Sequence, residues 1–181
     1  MLTRKQLLLK EIPRKRLSYF ELQAYWGITK HMGGLEATKE LIELCKINKD
    51  KHILDVGCGV GKTTCYIVKR YDCKVMGVDI SQSMIERSSE RVKREGVEDK
   101  VNLIMADAQN LPFKERVFDA VICESVTAFP KDKKRAVNEY ARVVKQRQKL
   151  SFQKVCKRNI FSRHIKSLFK YLGYGIYVGR K

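Results

Sequence analysis

Ile53-Leu54-Asp55-Val56-Gly57-Cys58-Gly59-Val60-Gly61 decides the fold of this 181-residue chain. Three apolar residues flank a single carboxylate, and glycine then falls at every second position. A short apolar run ended by glycines reads as a buried parallel strand entering a tight turn. Glycine there lets a ligand approach the backbone, because any Cβ would fill that space. Lys62 to Tyr71 has helix-like composition, so the ligand would sit at a helix N-terminus. Three glycine-loop chemistries compete. The dinucleotide fingerprint G-x-G-x-x-G fails, since the third glycine comes one position early and Lys62 stands in its place. The phosphate loop G-x-x-x-x-G-K-[ST] nearly fits Gly61-Lys62-Thr63, but it needs glycine at Val56. What remains is D-x-G-x-G-x-G, led by Asp55.

Downstream residues choose among these. Val75-Met76-Gly77-Val78-Asp79-Ile80-Ser81 is a second apolar strand ending in an acid, 24 residues beyond Asp55. A carboxylate at the end of the second strand of a Rossmann-like unit accepts both ribose hydroxyls. Val101 to Met105 is a third apolar run, closed by Ala106-Asp107-Ala108. Leu111-Pro112-Phe113 then leads to a fourth strand over Val117 to Cys123. This succession resembles the class I S-adenosylmethionine-dependent methyltransferases. Within them it looks closest to the small-molecule enzymes of the ubiquinone/menaquinone-biosynthesis type.

The resemblance implies an α/β fold: a Rossmann-like, mostly parallel sheet with helices on both faces. It implies S-adenosylmethionine as cofactor, with Asp79 holding the ribose diol and Ile80 and Met84 packing on the adenine. Asp107 would accept from the exocyclic amine, with the Ala108 N–H nearby. Gly57, Gly59 and Gly61 would admit the cofactor, and Asp55 would order the loop or meet the methionine amine. Glu124, just after strand four, would face the region where sulfonium and acceptor meet; the alternative is a solvated acid. No catalytic base stands out. Cys123-Glu124-Ser125-Val126 occupies the place where amino-methylating DNA enzymes carry Asn/Asp-Pro-Pro-Tyr/Phe, which argues against chemistry on base amines. Methylation of a small-molecule acceptor is the leading reading. RNA methylation through the basic ends, and cofactor binding without turnover, stand beside it.

The net charge of +18 is unevenly distributed. Residues 1–30 carry +5, residues 31–139 carry +1, and residues 140–181 carry +12 with no acid at all. Basic ends around a near-neutral body point either to an anionic partner, such as RNA or acidic lipid, or to a solvated surface. Six cysteines are scattered without a C-x-x-C pair, which disfavours zinc and fits reduced thiols in a cytoplasmic protein. No apolar run approaches the length of a membrane span.

The chain divides into an N-terminal helical lid segment (1–50), a cofactor-binding core (51–145) and a short basic segment (146–181). Helical spacing is expected over 1–12, 15–26 and 35–46. Tyr19, Tyr25, Trp26 and His31 are candidates to line a substrate pocket or, alternatively, to anchor the helices; Gly33-Gly34 would approach the methionine end. Helices are also expected over 82–95 and 131–145. Beyond Lys145 the family's usual glycine-rich turn is missing, and the C-terminal strands look abbreviated: a strand over 150–155, a helix over 160–172 and a last strand over 175–179. With so short a remainder, Val121 and Ile122 are expected to be poorly covered at the sheet edge, favouring self-association and little turnover.

Overall fold

The computed structural model describes residues 19–26, 38–39, 42–43, 45–124, 126 and 129–145. In chain order the elements are α1 (Tyr19–Trp26), β1 (His52–Val56), α2 (Lys62–Tyr71), β2 (Lys74–Asp79), α3 (Gln82–Glu95), β3 (Val101–Met105), β4 (Ala120–Cys123) and α4 (Lys133–Val143). The four strands form one parallel sheet in the order β3-β2-β1-β4. The chain thus works outward from β1 to β3, then returns to the other side of β1. That reversal opens a crevice between the C-terminal ends of β1 and β4, where open α/β sheets bind ligands.

Strand side chains alternate between two buried layers, as a period of two requires. Ile53, Val75, Ala120 and Ile122 join one layer with Cys65, Ile67 and Val68 of α2 and Val92 of α3. Leu54, Val56, Val78, Val121 and Cys123 join the other with Ala136, Tyr140 and Val143 of α4. Both faces of the sheet are therefore covered by amphipathic helices. On α3 the buried residues Met84, Ser88 and Val92 recur every four positions, one stripe of a helix.

The Leu-Pro-Phe passage owes its place to Arg142. Its guanidinium donates to the Phe113 carbonyl at 2.6 Å and the Leu111 carbonyl at 3.0 Å while holding Glu139 at 2.7 Å. Glu139 in turn accepts from the Leu111 N–H at 2.8 Å. Phe113 then meets Phe118 edge-on, ring centroids 4.9 Å apart.

Three expectations change. The helix expected over 131–145 is shorter, because Asp132 caps it by accepting from the Arg135 N–H and Val144 is already extended. Strand four contributes only Ala120–Cys123 to the ladder; Phe118 instead bridges Val144 in parallel, with the Lys145 N–H donating to its carbonyl. Val121 and Ile122, expected to be poorly covered, are 2% and 0% exposed. Val121 shares a layer with α4 and Ile122 shares one with α2. In the expected helix 35–46, Thr38 and Ile42 are helical and buried. The helix expected over 1–12, His31, Gly33-Gly34 and every element expected beyond residue 145 lie outside the described residues.

Candidate cofactor site

β1 ends in a loop that its own glycines make possible. Gly57, Gly59 and Gly61 all have positive φ (73°, 54° and 75°), a region open to glycine at little cost. The Gly57 and Cys58 N–H groups both donate to the Val78 carbonyl, at 2.7 and 3.0 Å, stitching the loop to β2. A Cβ on Gly57 would stand 1.9 Å from Val126 Cγ2, and one on Gly61 would stand 2.4 Å from Ser88 Oγ. Gly61 then caps α2.

Asp79, at the C-terminus of β2, faces this loop. Its Oδ2 accepts from the Gly59 N–H at 2.9 Å and its Oδ1 from the Ser81 N–H at 3.0 Å. A carboxylate has about four acceptor positions, so Asp79 keeps capacity for a further donor. Burial pushes the Asp79 carboxyl above its usual pKa, against the backbone N–H groups of Ser81, Gly59 and Ile80. Ile80 and Met105 are large apolar residues left 66% and 58% exposed, and Met105 is the register partner of Asp79. They offer apolar surface beside the acid for a flat ring. Met84 is buried with Ala24 of α1 and Val60 of the loop.

Asp107 lies two residues past β3, just after Ala106, whose N–H still donates to the Asp79 carbonyl at 2.9 Å. Its Oδ1 accepts from the Gln109 N–H at 2.8 Å, and the Gln109 amide contacts both oxygens. Ala108 is buried beside it. Tyr25 is half-buried and Trp26 exposed at the end of α1, whereas for Tyr19 only the helical backbone is described.

Two further carboxylates line the crevice. Asp55 is buried in β1 and accepts from Thr64 Oγ1 at 2.6 Å. Burial raises its pKa to about 7, opposed by the Thr64 hydrogen bond and reinforced by the charges of Glu124 and Asp79. Glu124 accepts from Thr38 Oγ1 with Oε1 and from Thr63 Oγ1 with Oε2, both at 2.7 Å. Asp55, Asp79 and Glu124 thus gather at the ends of three neighbouring strands, a field that favours a cationic ligand. Thr38, Thr63 and Thr64 were not legible as site residues. For Thr63 and Thr64 the signal was two hydroxyls in the first turn after the glycine loop; Thr38 carried none.

The methyltransferase-domain family model matches residues 53–147, just over half of the chain. The chain belongs to that family. It is a class I S-adenosylmethionine-dependent methyltransferase domain, and the family's cofactor is S-adenosylmethionine. The domain is 32% identical over 126 residues to methyltransferase GfsG of Streptomyces halstedii, covering 69% of this chain and 45% of the relative. It is 35% identical over 95 residues to norajmaline N-methyltransferase of Rauvolfia serpentina, covering 52% and 32%. Among solved structures, the YcgJ protein of Bacillus subtilis superposes with a TM-score of 0.58 at 30% identity, covering 61% of this chain and 47% of that one. The chain spans about half the length, or less, of these relatives. Among the described residues no helix is long and apolar enough to cross a membrane.

The residues present fit the cofactor. The glycine loop, the doubly anchored Asp79 and the apolar Ile80–Met105 pair match a ribose and a base, and the acidic crevice matches a sulfonium and an ammonium.

Proposed function

We propose that this methyltransferase domain binds S-adenosylmethionine across the C-terminal ends of β1, β2 and β4 and methylates a small-molecule acceptor. The observation that carries the reading is the Asp79 carboxylate at the end of β2, pinned beside the glycine loop by the Gly59 and Ser81 N–H groups. When bound, the cofactor supplies an electrophilic methyl group. The protein supplies position and environment. Asp79 holds the ribose end, and Ile80 and Met105 offer apolar surface to the base. Asp55 and Glu124 favour the positive end and orient it into the crevice between β1 and β4. Glu124 is itself held by two threonine hydroxyls, so its carboxylate keeps one orientation. The relative named for N-methylation of norajmaline supports a small acceptor.

Calorimetry with S-adenosylmethionine and S-adenosylhomocysteine tests the binding half. No heat and no thermal shift at millimolar cofactor would overturn it. Transfer of a labelled methyl group to a panel of small amines and phenols, set against RNA, tests the acceptor class. Labelling of RNA alone would reverse the assignment.

Asp79→Ala should weaken cofactor binding more than any other acid-to-alanine change in the domain. Two hydrogen bonds to a charged acceptor set an upper range of about 3–6 kcal/mol. Water replaces part of this, leaving about 1.4–2.8 kcal/mol, or roughly 10- to 100-fold in Kd. An unchanged Kd would place the ribose elsewhere.

A further inference from the structure

Arg87 lies on α3, and every nitrogen of its guanidinium is engaged. Nε donates to the Ala24 carbonyl at 3.0 Å and Nη2 to the Tyr25 carbonyl at 3.4 Å. Nη1 holds Glu90 at 2.9 Å, which fixes the plane of the fork. The two carbonyls belong to the last turn of α1, where helix carbonyls lack intrahelical partners and a cation is favoured. One turn along α3, Arg91 repeats the device on the other side. Its Nε donates to the Val60 carbonyl, inside the glycine loop, at 2.8 Å, and its Nη1 holds Glu95. Lys69 of α2 pairs with the same Glu95 at 3.1 Å. Between the two arginines, Ala24, Val60 and Met84 close into a small buried apolar cluster. The C-terminal turn of α1 is therefore seated directly on the glycine loop, and α3 clamps both.

We infer that Arg87 is a positioning residue that latches α1 onto the glycine loop and so sets how long the cofactor stays bound. This rests on the reading of the loop as the S-adenosylmethionine site. The Arg87 fork and the apolar contact of Ala24 both fix the last turn of α1. Removing the fork loosens that turn over Val60, while the sheet and Asp79 are untouched. Loss of one to two charge-assisted hydrogen bonds, discounted because Arg87 is partly exposed, corresponds to an increase of about 10-fold in the dissociation rate. Lysine can reach one carbonyl but cannot span two in a plane, so it should rescue only part of the effect.

The experiment is displacement of S-adenosylhomocysteine from the wild-type chain, R87A and R87K in stopped flow, paired with amide hydrogen exchange over residues 19–26 in the cofactor-free protein. The expected result is a dissociation rate raised about 10-fold in R87A and by less in R87K, an association rate changed little, and faster exchange confined to α1. Binding with an unchanged dissociation rate in R87A would overturn the latch while leaving the cofactor site standing. Faster exchange throughout β1 and β2 would assign Arg87 to general stability and overturn it as well. Failure of the wild-type chain to bind S-adenosylhomocysteine would instead overturn the cofactor reading, and the latch with it.

Discussion

Gly61→Ala is expected to lower stability by about 2–5 kcal/mol and to abolish measurable cofactor binding at ordinary concentrations. Two independent penalties add at this position. At φ +75° an alanine is held in the left-handed region, which costs of order 1–2 kcal/mol. Its Cβ would also stand 2.4 Å from Ser88 Oγ and 3.2 Å from Ser88 Cα. The second distance matters more, because a backbone atom in the middle of α3 cannot swing away. Relief requires that α3 move off the loop, which would break the Arg91 hydrogen bond to the Val60 carbonyl and loosen the cluster around Val60. Ser88→Ala separates the two penalties. Ser88 Oγ is buried near the Cys58 thiol without a full hydrogen bond among the described residues, so its removal alone should cost little. In combination it should restore only part of what Gly61→Ala loses, since the crowding against the α3 backbone and the left-handed strain both persist. Urea titrations of the single and double variants measure both terms, and full rescue by Ser88→Ala would show that φ strain is unimportant here.

The glycine loop shows how far local pattern carries. D-x-G-x-G-x-G places three left-handed residues in alternation, and that requirement is purely local, so the loop and the strand before it were legible from residues 53–61. The parallel sheet was legible for the same reason: apolar runs of strand length alternate with four-fold helical stripes such as Met84, Ser88 and Val92. Pairings between distant segments were not legible. Thr38 reads as one more residue on a buried helical face, and nothing in its neighbourhood marks its hydroxyl as a donor to Glu124, 86 positions away. The resemblance implies Met84 as an adenine contact; its burial with Ala24 and Val60 depends on where α1 docks, a tertiary fact. The coverage of Val121 and Ile122 failed in the same way. The sequence beyond Lys145 lacks the family's glycine-rich turn, but Val121 and Ile122 already fall in the two buried layers, Ile122 with Ile42 and Cys45 and Val121 with residues of α4.

Asp55 supplies the other large effect, a stability that falls as pH rises from about 4 to about 7. In the unfolded chain its carboxyl titrates near 3.9. In the folded protein burial raises it to about 7, with help from Glu124 after β4 and Asp79 on β2 and against the Thr64 hydroxyl of α2; the Cys58 thiol in the loop feels the charges of Asp55 and Asp79. Between these two values the folded state holds a proton that the unfolded state has released, so the folded state is the one stabilised by acid. The contribution is complete below about pH 4 and is lost as pH climbs to about 7. A gap of about 3 units amounts to about 4 kcal/mol, and full burial leaves no solvent screening to discount it. Asp79 shifts in the same direction and adds to the slope, whereas Glu95, Asp119 and Glu139 shift downward and act only in more acidic solution. Asp55→Asn keeps an acceptor for Thr64 Oγ1 and removes the titration. It should match the wild type below about pH 4 and exceed it by about 2–4 kcal/mol at pH 8 in denaturant unfolding. The same variant should bind S-adenosylhomocysteine more weakly at pH 8, because the wild-type site is then negative where a cationic group is to be held. A strand residue that weakens the free protein when ionised is retained at a ligand site if a bound cation offsets that cost, and parallel stability curves for Asp55→Asn and wild type from pH 5 to 8 would refute this account of Asp55.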